Sequence, residues 1–335
     1  MSNHHKIIVV TGASGFIGGH IVRLLLDRGY RVRGVVRDLS HTNAAKLAFL
    51  RGLPRTNTPD GHDPLELVAA DLQAGQYAQL LQGAHALIHT ATPFVYAAAD
   101  PQKEIVDPAV NGTVDAIQGA LAAGVRRVVV TSSGGSVFSF PPPSPGYVYT
   151  EKDWNTWSTL TNNPYFLSKR LAEQAAWRLW DQHRDRLDLV VVNPSFVVGP
   201  PQSASLNASL ETVVNYLLGR AKKATPGRLP FVDVRDVALA HVIAMEQDAA
   251  IGHRVFCASE TRPWRDLAIK LKELFPEYPN VEDLDVDTGI ETQMDTSLLQ
   301  GLGLSEFISF DEMLKDTVEQ MIKLGVVENL KQTNE

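Results

Sequence analysis

The chain has 335 residues, 44% of them hydrophobic and 21% charged, with 31 Lys+Arg against 38 Asp+Glu and a formal net charge of −7. That length suits roughly two domains, and the apolar share excludes general disorder. The acidic balance argues against a nucleic-acid partner, whose phosphates need neutralising, and the single cysteine, Cys257, excludes an intrachain disulfide or a cysteine zinc cluster.

In chain order, strands are expected at Lys6–Val10, Arg31–Val36, Leu65–Ala70, Ala84–His89, Arg127–Thr131 and Asp188–Val192, with a late seventh at His253–Ala258. Their apolar runs are continuous rather than alternating, as in parallel strands buried on both faces. Between them the helical period recurs at Gly15–Arg28, Ala44–Arg51, Gln102–Ala123 and Pro164–Arg184. This alternation predicts an α/β protein, a Rossmann-type doubly wound parallel sheet. Further helices are expected at Leu206–Gly219, Asp233–Gln247 and Met313–Leu324, the last opened by a capping box at Ser309 and Glu312. Pro263 suits a first helical turn, and the polar tail from Glu328 is expected to fray. Residues 1–193 plus 233–258 read as the dinucleotide-binding domain, and 194–232 plus 259–335 as a smaller, mainly helical substrate lobe. The longest apolar runs fall far short of the ~20 residues of a membrane span. No apolar leader precedes Ile7, so a cytoplasmic protein with no membrane partner is expected.

Gly12, Gly15 and Gly18 form G-x-x-G-x-x-G directly after the first strand and open the first helix. The first glycine allows a tight turn, the second a close approach to a pyrophosphate, and the third close helix–strand packing. Helix-terminal amides then face the phosphates. Thr11, Phe16 and Ile17 flank this turn. Arg37 ends the second strand where NAD-preferring sites carry an acidic residue, and an arginine suits a 2′-phosphate. With Lys46 as a second cation, the expected cofactor is NADP(H) rather than NAD(H). Asp71, Leu72, Thr90, Ala91, Thr92 and Thr131 lie at carboxyl ends of strands, where open α/β sheets bind ligands. Asp71 is placed either to accept from an adenine amino group or to cap its turn.

Tyr165 and Lys169 stand at i and i+4 on one face of the long fourth helix. The preceding strand ends in Thr131-Ser132-Ser133. With Thr11–Gly18, Arg37, His89–Pro93, Asn193–Gly199, Glu151–Asn155 and Phe231–Val237, this ordered set resembles an extended short-chain dehydrogenase/reductase. Within that family the chain is similar to the dihydroflavonol-reductase, cinnamoyl-reductase and yeast carbonyl (aldehyde) reductase group. The resemblance implies hydride delivery to an aldehyde or ketone carbonyl, with Tyr165 as proton donor. Lys169 would lower the Tyr165 pKa and hold ribose hydroxyls, and Ser133 would bind the substrate oxygen. Pro194 and Val197 would line the nicotinamide. By their place at strand ends, Phe94, Tyr96, Phe138, Val198 and the segment 200–228 are the candidates for the wall of an apolar substrate pocket. Two departures stand out. Family members often carry an Asn three residues before a helical Gly-Thr, supporting a proton relay, and Pro108 occupies that place here, with Asn111 displaced. Dihydroflavonol reductases present an Asn five residues after the serine, where this chain has Phe138, which favours a general carbonyl reductase.

Other residues read as structural: His89 and His241 as satisfied core groups, Cys257 as an inert thiol, Trp177 and Trp180 as helix packing, Arg220–Arg228 as a solvated lid. The Pro141–Pro145 run reads as a stiff loop beside the substrate mouth. No metal-ligand spacing is present. The implied partner is a small-molecule carbonyl compound, the protein being a monomer or homodimer. A nucleotide-sugar epimerase or dehydratase and a non-catalytic NADP sensor are the rival readings.

Overall fold

The computed structural model describes residues 3–40, 44–55, 58–71, 75–91, 98–287, 289 and 291–332. Its first part runs β1 (Ile7–Thr11), α1 (Phe16–Asp27), β2 (Arg31–Val36), α2 (Ala44–Arg51), β3 (Leu65–Ala69), α3 (Tyr77–Leu80), β4 (Ala86–His89), α4 (Asp107–Ala123) and β5 (Arg127–Thr131). It continues through β6 (Val148–Tyr149), α5 (Pro164–Gln182), β7 (Asp188–Pro194), β8 (Phe196–Val198), α6 (Ala208–Leu217), β9 (Arg228–Asp233), α7 (Val234–Glu246) and β10 (Arg254–Cys257). The chain then ends in β11 (Thr261–Pro263), α8 (Trp264–Leu274), β12 (Gln293–Met294), α9 (Ser297–Gly301), α10 (Phe310–Lys323) and α11 (Val326–Gln332).

Seven strands form one sheet in the order β3-β2-β1-β4-β5-β7-β10, every pair parallel. Successive residues along a strand point to opposite faces, which explains the continuous apolar runs. Ile8 and Val10 enter the core that α1, α2 and α7 cover, while Val9 enters the one beneath α3, α4 and α5. The fold is the doubly wound, Rossmann-type sheet that the alternating pattern predicts, with all seven expected strands present to within a residue or two.

The remainder is less helical than expected. β8 and β11 flank β9 in a three-stranded sheet. Its side chains share a core with α6, α8, α10 and α11 that includes Val198, Phe231, Leu267 and Leu314. Pro230 sits inside β9, where a residue without an N–H reads from sequence as a strand breaker; its carbonyl instead accepts from Ser195 Oγ at 2.7 Å. Leu299 and Leu304, assigned by sequence to the smaller lobe, pack in the core of the main sheet. Pro263 is the N-cap of α8 rather than part of its first turn. The tail does not fray at Glu328: α11 runs to Gln332 with Val326 and Val327 buried. Ser309 caps α10 as its spacing predicts, accepting from the Glu312 N–H at 3.3 Å. The segment Arg220–Arg228 is tied down rather than free, with the Ala224 and Gly227 N–H groups donating to Asp283 O and Asp287 O. Among the described residues no helix is long and apolar enough to cross a membrane.

Candidate active site

The strand order reverses between β1 and β4, so the connections leaving their carboxyl ends diverge and leave a crevice. A cleft of about 1100 Å³ occupies that place. Gly12 turns the chain out of β1 at φ +68°, and a Cβ there would meet Thr90 Oγ1 at 2.8 Å and Ala91 N at 3.1 Å. A Cβ on Gly18 would come within 2.2 Å of Gly12 O. Both glycines are therefore required by close backbone approach, and the result is a side-chain-free cradle at the α1 N-terminus suited to a pyrophosphate. Gly15, Phe16 and Ile17 line the cradle, and Arg37, Lys46 and Asp71 line the cleft beyond it. A dinucleotide thus fits the residues present: amides for its phosphates and two cations at one end.

Thr11 departs from its expected role. It is fully buried, its hydroxyl 2.9 Å from His89 Nδ1 and accepting from the Ala91 N–H at 3.2 Å. Together with Thr90 Oγ1, which donates to Thr11 O at 2.7 Å, it braces the loop after β4 while Thr90 and Ala91 line the cleft. Leu72, Thr92, Phe94 and Tyr96 lie outside the described residues.

The opposite wall carries the expected Ser133, Tyr165 and Lys169. Asn163 caps α5, its Oδ1 accepting from the Phe166 N–H at 3.0 Å, and Pro164 occupies the first turn. Tyr165 is thereby set at the helix start, and Lys169 follows one turn later with Nζ 5.7 Å from the tyrosine ring centre. After β5 the chain turns sharply, and Ser133 caps the turn by accepting from the Gly135 N–H at 3.0 Å. Ser133, Tyr165 and Lys169 all line the one cleft, together with Thr131, Pro194 and Val197. Burial pushes Lys169 down to about 8, against the opposing pull of Glu173. Its ammonium form therefore prevails at neutral pH and is lost as pH rises through 8.

Both candidate core histidines are satisfied. His241 Nδ1 donates to Val237 O at 2.7 Å, so Nε2 accepts from the Thr131 hydroxyl at 2.7 Å. Burial pushes His241 to about 4. Burial and the Lys169 charge do the same to His89, which leaves both neutral. Burial also pushes the Cys257 thiol well above its ordinary range, consistent with an inert group.

One expected pocket residue, Val198, is corrected, and another, Phe138, lines the cleft by little more than an edge. Val198 is buried in the smaller core, because β8 pairs with β9 and turns that side chain inward. Phe138 touches the cleft but is 2% exposed, its ring packed under Gly134 and edge-on to Tyr149 at 5.3 Å. The rest of the apolar wall is formed by Phe166, Phe196, Leu229 and, from the expected segment 200–228, Leu206, with the hydroxyls of Ser205 and Ser209 beside them. All but Phe166, which lies on α5, come from 196–229, whose short strands give little sequence signal. Pro108 does line the cleft and Asn111 is exposed, so α4 places no asparagine at the spacing the relay uses.

Residues 8–258 match the model of the NAD dependent epimerase/dehydratase family. The chain belongs to that family. Within it, the extended short-chain dehydrogenase/reductase resemblance holds over nearly the full length. Cinnamoyl-CoA reductase 1 of Arabidopsis thaliana is 38% identical, covering 96% of this chain and 90% of that protein. Tetraketide alpha-pyrone reductase 1 of the same plant is 33% identical over 95% of this chain and 96% of its own length. The yeast methylglyoxal/isovaleraldehyde reductase Gre2, solved as a complex with NADPH, superposes with a TM-score of 0.82 at 29% identity, covering 96% of this chain and all of that one.

The cradle makes a clean prediction for family-type glycines. Gly18→Ala forces a clash with Gly12 O and is expected to cost about 1–3 kcal/mol in denaturant unfolding. Gly112, inside α4 with nothing within 4 Å of a Cβ, should tolerate alanine and gain up to about 1 kcal/mol. Equal effects of the two substitutions would contradict the close-approach argument.

Proposed function

We propose that this protein is an NADPH-dependent reductase of aldehydes and ketones, reversible toward alcohol oxidation, with Tyr165 as the proton donor. The observation that carries the reading is the convergence of Ser133, Tyr165 and Lys169 on the cleft whose other end holds the glycine cradle and Arg37. The NADPH complex of Gre2 supports the choice of cofactor, and Arg37 and Lys46 are the side chains that would meet a 2′-phosphate. The phenyl and leucyl wall supports an uncharged carbonyl substrate.

When bound, the cofactor supplies hydride to the carbonyl carbon. The chain's own groups manage the oxygen. The Ser133 hydroxyl accepts from the Gly135 N–H, which leaves its own proton available to donate to the substrate oxygen. Tyr165 delivers its proton to that oxygen as negative charge develops there. A tyrosine hydroxyl ordinarily holds its proton to about pH 10. The Lys169 ammonium, one helical turn on with Nζ 5.7 Å from the Tyr165 ring centre, stabilises tyrosinate and eases the transfer. Pro194 and Val197 border the nicotinamide end, where backbone groups can orient its ring.

A thioester carbonyl is the second reading, favoured by the identity with a protein named cinnamoyl-CoA reductase. A panel of aromatic and aliphatic aldehydes, keto esters and cinnamoyl-CoA, each with NADPH and NADH, separates the two. Turnover of free carbonyls with NADPH preferred is the expected outcome, and turnover of the thioester alone would replace the substrate class. Tyr165→Phe should lower kcat by about 10²-fold or more with NADPH affinity retained; a variant keeping most of the turnover would remove tyrosine from the mechanism.

The pH dependence follows from Lys169, which faces Tyr165 on its own helix, Glu173 one turn on, and the neutral, buried His89 of β4. Reduction needs Tyr165 protonated and Lys169 charged, and both conditions fail as pH rises. The rate kcat/KM for reduction is expected to be level near pH 7 and to fall above about pH 8. A rate that climbs through pH 9 would contradict this assignment.

A further inference from the structure

Behind the serine turn lies a carboxylate that enters the chemistry above only through its charge on Lys169. Glu173, on α5 one turn beyond Lys169, is fully buried. Its Oε2 accepts from Ser132 Oγ at 2.6 Å, Ser136 Oγ at 2.5 Å and Asn193 Nδ2 at 2.8 Å. Its Oε1 accepts from Arg254 Nε at 2.5 Å and Trp177 Nε1 at 3.2 Å. Burial alone would push this carboxyl up, but the Arg254 charge and the hydrogen bonds of Arg254, Ser132 and Ser136 outweigh it and hold it ionised. Arg254 is itself 5% exposed. Its guanidinium stacks 3.9 Å from the Trp154 ring centre and donates to the carbonyls of Glu151 and Asp153. Asn155 completes the layer, with Nδ2 donating to Gly135 O at 2.8 Å.

Ser132 and Ser136 bracket the short turn that carries Ser133, and Glu173 grips both from the helix that carries Tyr165 and Lys169. A buried charge pair is a poor source of stability compared with apolar packing of the same volume, so its presence here calls for another reason. We propose that Glu173 is a positioning residue for the reaction: its carboxylate locks the Ser133 turn to the Tyr165 helix and so sets the serine-to-tyrosine geometry that the carbonyl oxygen meets. This rests on the reductase reading above. Misplacement of such groups by about 1 Å costs on the order of 10²-fold in rate, which makes a rigid, five-donor anchor worth keeping.

Charge and anchoring are separated by two double variants. Glu173→Leu with Arg254→Met removes both charges and every acceptor while keeping volume. Glu173→Gln with Arg254→Met restores an acceptor oxygen for the two serines. The Leu/Met protein should bind NADPH, followed by its fluorescence, within twofold of the parent, melt as one cooperative unit, and lose at least tenfold in kcat. The Gln/Met protein should recover to within about threefold. Ser136→Ala, a smaller change, should cost at least threefold in kcat with unaltered NADPH affinity, and it decides the matter should either double variant fail to fold. Parental kcat in Leu/Met or in Ser136→Ala, a kcat loss matched by loss of folded protein, or a Gln/Met variant no better than Leu/Met would each overturn the proposal. A parent chain that reduces no carbonyl would overturn the reading beneath it, an outcome distinct from all of these.

Discussion

Both faces of the seven-stranded parallel sheet are covered by helices, and most of the molecule follows from that constraint. Parallel strands need crossover connections, the crossovers cover the faces, and the carboxyl ends of the strands remain the place where chemistry can be exposed. The reversal of strand order between β1 and β4 opens the crevice there. The residues that leave those ends, namely the turn from Gly12, the loop at Thr90, the serine turn after β5 and the segment after β7, all border one cleft. The smaller sheet and its helices then close the side of the cleft beyond Pro194 with Phe196, Leu206 and Leu229.

Electrostatics within the cleft are sorted by burial. His89 and His241 are neutral because each is sealed in the core with a hydrogen-bonding partner. Lys169 is buried as well, yet keeps a mostly charged ammonium near pH 7 with Glu173 one turn away. Glu173 in turn keeps its charge through Arg254 and hydroxyl donors. A chain of compensations thus runs from Arg254, deep in β10, to the phenol at the mouth of the cleft. It accounts for the fragment Glu151–Asn155 as well: those residues supply carbonyls and an indole face to Arg254 rather than anything to a ligand.

The sheet was legible in the sequence because strands such as Val128–Val130 are apolar throughout, and the glycine turn because Gly12 and Gly18 allow no side chain. The Tyr165–Lys169 pair was legible because helical spacing puts both on one face. Other parts were not. Val198 reads as an exposed wall residue until its pairing with β9 is known, and Thr11 reads as a ligand contact until its hydroxyl is seen bonding to Ala91. The positions of Phe166 and Leu229 in the cleft depend on tertiary packing that no local period encodes. Glu173 carries no local signal of its role, since its five donors come from four separate stretches of chain.

On the proposed reaction, a carbonyl carbon in this cleft takes its hydride from a nicotinamide. The decisive measurement is the reduction of benzaldehyde with NADPH deuterated at one or the other face of C4, with the alcohol read by mass spectrometry. One deuterium on the carbinol carbon is expected from one labelled face and none from the other. Unlabelled alcohol from both, or cofactor binding with no alcohol at all, would contradict the proposed reaction.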